Sequence, residues 1–339
     1  MNQGILSVIG NTPLIELVRV LAPSRFRLYA KLESFNPGGS MKDRPALNII
    51  SSGLRSGKIT SETVIIESSS GNMGVGLAQA CSYFGLKLIC VVDSKTTPQN
   101  IRLLQAYGAQ VDLVSDPDPS TGEYLQARLN RVKELSSIIP NAYWPNQYAN
   151  PENPAAHRQT MREIFAAFEE QVYCVFCATS TCGTLRGCAE YISEHRLNTR
   201  LVAVDAVGSV IFGSPVSKRL VSGHGSAIRP PLFQPDLAHE FVLVDDLDCV
   251  IGCRRLASTE AILAGGSSGA IISAIDRISD AIPDGATCVA ILPDRGERYL
   301  DTIFSDQWVS DHFGDVSHLW KTPPEGSDIE SERCAIAVS

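Results

Sequence analysis

Short β-branched runs alternate with stretches of helical spacing through most of the chain, the rhythm of parallel β-α units whose sheets are covered on both faces. The strand candidates are Arg27 to Glu33, Thr63 to Glu67, Lys87 to Asp93, Gln110 to Val114, Tyr173 to Ala178, Leu201 to Asp205 and Thr287 to Leu292. Apolar residues recur at helical intervals in Ser40 to Ser56, Gly71 to Phe84, Pro98 to Tyr107, Tyr124 to Ser136, Cys182 to Glu194, Cys253 to Ala264 and Gly269 to Ala281, which predicts helices there. Pro140 to Pro154 breaks the alternation with four prolines and four asparagines. Such a segment marks a crossing between two α/β lobes, with a cleft beside it where a site would lie.

With 339 residues, 44% of them hydrophobic and 19% charged, the chain has material for two packed cores. A net charge of -8 leaves no basic face to collect phosphates, so nucleic acid and anionic membrane are excluded as partners and small molecules are the expected ligands. Met1 to Gly10 has neither the cationic start nor the apolar stretch of a signal peptide, and no apolar run approaches the width of a bilayer. A cytoplasmic protein without membrane contact is the expectation. The ten cysteines are scattered singly and read as reduced, buried thiols. Cys174 and Cys177 lie in a predicted strand that turns them to opposite faces, and His195, His224, His239, His312 and His318 have no zinc spacing, so no metal is expected and these histidines read as surface or loop residues. The tail 321–339, rich in Pro, Gly, Ser and acidic residues, is expected to be disordered.

The chemistry concentrates in turns between strands and helices. In Asn36-Pro37-Gly38-Gly39-Ser40-Met41-Lys42-Asp43-Arg44 a glycine-rich turn lets the backbone approach a ligand, and a lysine just inside the following helix is held rigidly. An amine that attacks a carbonyl must be partly neutral, which a site near other cations and away from water provides. Taken singly, Lys42 would be an ordinary solvated lysine. Its neighbours make it a candidate for a Schiff base.

These residues resemble the lysine motif of the fold type II pyridoxal-phosphate enzymes, the cysteine synthase and cystathionine β-synthase family. The resemblance runs from Asn11-Thr12-Pro13-Leu14 to Arg298-Tyr299-Leu300 through several motifs in the same order. It implies a tryptophan synthase β-like fold of two three-layer α/β/α lobes with mostly parallel sheets. A smaller mobile lobe, 35–145, would carry the lysine and substrate-carboxylate loops, and a larger lobe, 1–34 plus 146–320, the phosphate loop and the pyridine-nitrogen serine.

Ser68-Ser69-Ser70-Gly71-Asn72-Met73-Gly74 offers amides and hydroxyls at a helix N-terminus, which suits a substrate α-carboxylate, so Ser69, Ser70, Gly71 and Met73 are substrate-binding candidates. The resemblance places Asn72 against the ring oxygen of pyridoxal 5'-phosphate. Ser180-Thr181-Cys182-Gly183-Thr184 offers convergent N–H and O–H donors at a helix start, the setting for the cofactor's phosphate. The family loop carries glycine where Ser180 and Cys182 stand, and nothing basic beside Cys182 would hold it as a thiolate. In Ala264-Gly265-Gly266-Ser267-Ser268-Gly269 the resemblance sets Ser267 against the pyridine nitrogen, a neutral partner that favours β-elimination over transamination. Gln147 matches a family position that helps hold the substrate carboxylate, and Tyr148 could close over the site.

The implied activity is β-replacement through an aminoacrylate, with Lys42 as the base, and the implied assembly is a homodimer. Asp205 to Gly213, Ser40 to Ala46 and Leu292 to Tyr299 resemble the branch that joins O-phospho-L-serine and L-glutamate into N-(2-amino-2-carboxyethyl)-L-glutamate, a 2,3-diaminopropionate precursor for siderophores and peptide natural products. Both substrates are anionic, so Arg44, Arg158, Arg186 and Arg295 are candidate partners. The alternative is a cysteine synthase using O-acetyl- or O-phosphoserine and sulfide.

Overall fold

The computed structural model describes residues 4–168 and 171–321. In chain order its strands and helices are β1 (Leu14–Leu17), β2 (Arg27–Leu32), α1 (Asp43–Arg55), β3 (Val64–Ser68), α2 (Asn72–Phe84), β4 (Lys87–Asp93), α3 (Pro98–Ala106), β5 (Gln110–Val114), α4 (Tyr124–Ile138), β6 (Ala142–Tyr143), α5 (Glu152–Phe168), β7 (Cys174–Ala178), α6 (Gly183–Glu194), β8 (Arg200–Ala206), β9 (Glu240–Val244), α7 (Asp246–Glu260), α8 (Gly266–Ile278), β10 (Thr287–Leu292), α9 (Asp306–Phe313) and α10 (His318–Lys321). They form a six-stranded sheet, β1-β2-β10-β7-β8-β9, in which only β1 is antiparallel, and a parallel four-stranded sheet, β5-β4-β3-β6.

The alternation of side chains along each strand builds a core on either face. On the large sheet Cys174 and Phe176 of β7 pack with Cys249 and Cys253 of α7 and Ile271 and Ile275 of α8, while Val175 and Cys177 pack with Ile164 of α5 and Leu185 and Cys188 of α6. Cys174 and Cys177 therefore stand on opposite faces, and the described cysteines are free and buried. On the small sheet Ile65, Leu88 and Cys90 face α1 and α2, and Ile66, Ile89 and Val91 face Val132 and Leu135 of α4.

All seven expected strands are present, and β1, β6 and β9 join them. Helix α5 was not foreseen. Pro151 precedes it and Pro154 falls in its first turn, where a proline lacks no bond the helix needs, so the proline-rich crossing is shorter than its composition suggests. Helix α7 also departs from the expected Cys253 to Ala264. It begins at Asp246 because the Asp245 carboxylate accepts from Asp248 N at 2.9 Å, and it stops at Ala261, whose φ of 55° is left-handed. His224 is buried with its Nε2 3.5 Å from Cys249 Sγ, contrary to the expectation of a surface residue. No described helix is long and apolar enough to cross a membrane. Of the tail expected to be disordered, Lys321 ends α10, and 322–339 lie outside the described residues.

Candidate active site

The loops that follow β2, β3, β7 and β10 converge at the carboxyl ends of their strands, where parallel sheets collect ligands. Met41, Lys42, Asn72, Ser180, Thr181, Cys182, Thr184, Gly223 and Ser267 line one cavity there. Residues from four separate motifs thus meet in one place.

Lys42 stands at the cap position of α1 rather than inside the helix, with backbone angles that already continue it. It is half-buried, and among the described residues its Nζ has no partner. Burial lowers its pKa to about 8, against the pull of the Asp294 carboxyl, so the neighbouring charge that matters is an anion and not the cations expected. Behind it the Asp43 carboxylate accepts from Gly38 N and leaves no room for a side chain at Gly38.

In the second turn Ser69 Oγ accepts from Gly74 N, in the first turn of α2, at 2.8 Å. The Ser70 carbonyl accepts from Asn100 Nδ2 at 3.0 Å, and Gly71 is the cap residue of α2. Met73 is buried in the core of the small sheet, so its side chain cannot touch a substrate, and what it can offer is its backbone amide in the first turn of α2. Gln147 braces this turn from behind, with Nε2 3.1 Å from Ser68 O and its backbone N 3.1 Å from Glu67 Oε2. Tyr148 is half-buried, and burial raises its phenol pKa.

At the third turn Cys182 has a left-handed φ of 62°. Burial pushes its thiol up to about 12, which leaves it protonated. Thr181 Oγ1 accepts from Asn153 Nδ2 at 3.2 Å and from Gly183 N at 3.3 Å. A Cβ on Gly183 would lie 2.2 Å from Asn153 Oδ1, so this glycine is required by crowding. Thr184 Oγ1 lies 3.3 Å from Nε2 of His157, a fully buried histidine kept neutral by burial and by the nearby charges of Lys42 and Arg44.

Ser267 is opposite Gly223, where a side chain would come within 3.6 Å of Ser267 Oγ and 3.8 Å of the Tyr299 hydroxyl. The absence of that side chain keeps the space above Ser267 open. Next to it lies a group that sequence reasoning passed over. Asp294, just beyond β10, accepts from Asn72 Nδ2 at 2.7 Å and from the Tyr299 hydroxyl at 2.6 Å, and Arg298 donates to Asn72 Oδ1 and to Gly38 O. Burial raises the Asp294 pKa, while these donors and the charges of Arg298 and Lys42 pull the other way. Its position at the end of a central strand was the available signal.

Three of the four candidate arginines are committed elsewhere. Arg44 is buried between Glu33 and Glu163, Arg158 pairs with Glu194, and Arg186 pairs with Glu190 one turn along α6. Each is held by a carboxylate. Arg295 is exposed, with Nε 2.8 Å from Ser34 O.

The model of the pyridoxal-phosphate-dependent enzymes matches residues 5–294. The chain belongs to that family. It is similar to the O-acetylserine-dependent cystathionine β-synthase of Helicobacter pylori, at 32% identity over 89% of this chain and 98% of that one with a TM-score of 0.82. It is also similar to O-ureido-L-serine synthase, at 30% identity over 97% and 98% of the two chains with a TM-score of 0.83, and to O-acetyl serine sulfhydrylase isoform 3 of Entamoeba histolytica, at 31% identity over 96% and 94% with a TM-score of 0.83. The fold is the tryptophan synthase β-like arrangement of fold type II, and the enzyme is a cysteine-synthase-like β-replacement transferase.

The cavity suits the family's cofactor. It brings together an unpartnered, partly neutral amine, a helix N-terminus with two threonine hydroxyls, and a serine hydroxyl facing a glycine, the chemistry that an aldehyde, a phosphate and a ring nitrogen would call for.

Proposed function

We propose that this enzyme joins O-phospho-L-serine and the amine of L-glutamate by β-replacement, giving N-(2-amino-2-carboxyethyl)-L-glutamate, a 2,3-diaminopropionate precursor for siderophore or peptide natural products. The observation that carries this reading is the meeting of two segments whose sequences resemble that branch. Met41 N donates to Pro293 O at 2.8 Å, Arg295 N donates to Gly39 O at 3.2 Å, and Ser40 and Asp294 form an antiparallel bridge. In this reading the two segments form a wall beside Lys42 that would choose donor and nucleophile. Of the four candidate arginines, Arg295 is the one without a carboxylate partner among the described residues, and in this reading it serves an anionic substrate group.

When bound, pyridoxal phosphate supplies an aldehyde for Lys42 and a ring that draws electrons from the substrate's α-carbon. The Lys42 amine, neutral in a larger fraction than an exposed lysine, removes and returns the proton at that carbon. First-turn amides of α2 and the Ser69, Ser70 and Gly71 turn bind the substrate α-carboxylate, with Gln147 as its brace and Tyr148 at its side. The start of α6, with Ser180, Thr181, Cys182, Gly183 and Thr184, holds the cofactor's phosphate. Asn72 donates to its ring oxygen, and Ser267 faces its pyridine nitrogen as a neutral partner. In this reading the lobe 35–145 moves against 1–34 plus 146–320, and two chains form a homodimer.

A cysteine synthase is the second reading, favoured by the 31% identity to an O-acetyl serine sulfhydrylase. One experiment separates the two. Holoenzyme is mixed with O-phosphoserine until its visible spectrum changes, and glutamate or sulfide is then added. Return of the starting spectrum with glutamate, together with a new diamino acid in the mass spectrum, is the expected result. Return with sulfide alone, with cysteine as product, overturns it.

A further inference from the structure

Asn72 begins α2, which packs on the four-stranded sheet, whereas Asp294, Arg298 and Tyr299 follow β10 of the six-stranded sheet. Across the cleft between them the Asn72 amide is gripped at both ends, Nδ2 by Asp294 at 2.7 Å and Oδ1 by Arg298. A guanidinium only donates and a carboxylate accepts, so these partners admit one orientation of the amide. The same guanidinium holds Gly38 O, and the same carboxylate oxygen takes the Tyr299 hydroxyl at 2.6 Å. The other oxygen of Asp294 is buried without a partner against Gly265, where a Cβ would lie 2.1 Å from it. Asp294 is 1% exposed, and the charges of Arg298 and Lys42 act on it without an ion pair at contact distance among the described residues. Burying a carboxyl on these terms is unfavourable, and what it obtains is a hold on a residue of the cavity wall.

We infer that Asp294 and Arg298 are positioning residues that act through Asn72, fixing its amide so that the second Nδ2 hydrogen is presented to the cofactor's ring oxygen. An amide free to turn over would present its own oxygen there, and two acceptors repel. This rests on the assignment of Asn72 to the cofactor, and the test keeps the two apart. The variants are Asn72→Ala, Asp294→Ala, Asp294→Asn, Arg298→Ala and the double variant Asn72→Ala with Asp294→Ala. The readouts are the affinity of each apoenzyme for pyridoxal phosphate and the position of the visible band once it is bound.

Asn72→Ala is expected to weaken binding by about tenfold, the worth of one well-placed hydrogen bond, and to shift the band. Asp294→Ala and Arg298→Ala shift it in the same direction. Asp294→Asn, which keeps an acceptor for Asn72 but removes the charge acting on Lys42, lies closer to the unaltered enzyme than Asp294→Ala does when the two are compared above about pH 8, where Lys42 is neutral. In the double variant the change at 294 adds nothing to the change at 72, because both break one chain of contacts. The inference is overturned if Asn72→Ala changes binding and spectrum while Asp294→Ala and Arg298→Ala do not, if the effects at 72 and 294 add, or if Asp294→Asn matches Asp294→Ala. Should Asp294→Ala fail to fold, the half-buried Arg298 carries the same test. No effect of Asn72→Ala itself would instead remove the assignment of Asn72.

Discussion

Arg44 closes a fork on Glu33, with Nε 2.7 Å from Oε2 and Nη2 2.8 Å from Oε1, two residues along the chain from Lys42. The same guanidinium reaches both oxygens of Glu163 on α5, which in turn takes Lys31 Nζ at 2.7 Å, and Thr12 Oγ1 donates to Glu33. Two cations and two anions, Glu163 half-buried and the other three buried, tie the start of α1 to β2 and α5. Lysine at 44 would keep the charge and lose the planar fork. Arg44→Lys is expected to cost about 3 kcal/mol, the scale for disrupting a buried pair from one side, as measured by denaturant unfolding of the holoenzyme. A loss within the error of the measurement would mean that the cluster is not what anchors the helix.

Capture of pyridoxal phosphate by the apoenzyme should follow the neutral form of Lys42. Since burial brings that pKa from 10.5 to about 8, the capture rate rises with pH and levels off above about 8. Stopped-flow absorbance across a pH series reads this directly. A rate still climbing toward the ordinary lysine value would contradict the burial argument.

Gly183→Ala places a methyl group 2.2 Å from Asn153 Oδ1 and 2.5 Å from its Nδ2. The loop must shift, and cofactor affinity is expected to fall by at least about tenfold if one contact of hydrogen-bond strength is lost. Pairing it with Asn153→Ala removes the obstacle and recovers part of the loss. Equal affinity in Gly183→Ala and the unaltered enzyme, by absorbance titration, would dismiss the clash.

Cys182 holds a left-handed φ that costs a residue with a side chain about 1–2 kcal/mol. Cys182→Gly relieves that strain, although it also empties a buried position. The variant should therefore bind cofactor much as before and change the unfolding free energy by little. A large loss of affinity would show the thiol to be a ligand contact, which its protonated state does not suggest.

Glu67 is fully buried and accepts from Ser68 N at 2.7 Å, Trp144 Nε1 at 3.1 Å and Gln147 N at 3.1 Å. Burial outweighs those donors and lifts its carboxyl to about 7 from an ordinary 4.5. The folded state thus favours the protonated form. This contribution to stability is complete below about 4.5 and is lost as pH rises through about 7. Glu67→Gln should flatten the fall in unfolding temperature across that window. It should also cost about 1–3 kcal/mol at its acid end, because an amide nitrogen cannot accept one of the three donors. Parallel curves for both proteins would refute this.

The main strands of both sheets could be read in the sequence because their apolar runs are continuous, as in the wholly buried β10. Strand β6 has two residues and β1 four, of which Ile15 and Glu16 are exposed, so neither carries a pattern long enough to recognise. The four loops around the cavity were legible because turn chemistry is local. The partners of those loops were not. Asn153, His157 and Asp294 approach from elements distant in sequence, and whether Arg158 prefers Glu194 to a substrate is decided by the packing of α5 on α6. His224 was misread because its Gly-rich surroundings imply solvent, yet α7 covers it.

The order of strands in the larger sheet has a consequence for how the molecule is made. Strand β10, the last strand among the described residues, inserts between β2 and β7, so the earlier strands wait for a partner separated from them by much of the chain. The smaller sheet, built wholly within Val64–Tyr143, can assemble long before that. A polypeptide ending ahead of Thr287 would contain Lys42, Asn72 and Ser267 in full, yet would have no wall to hold them against one another.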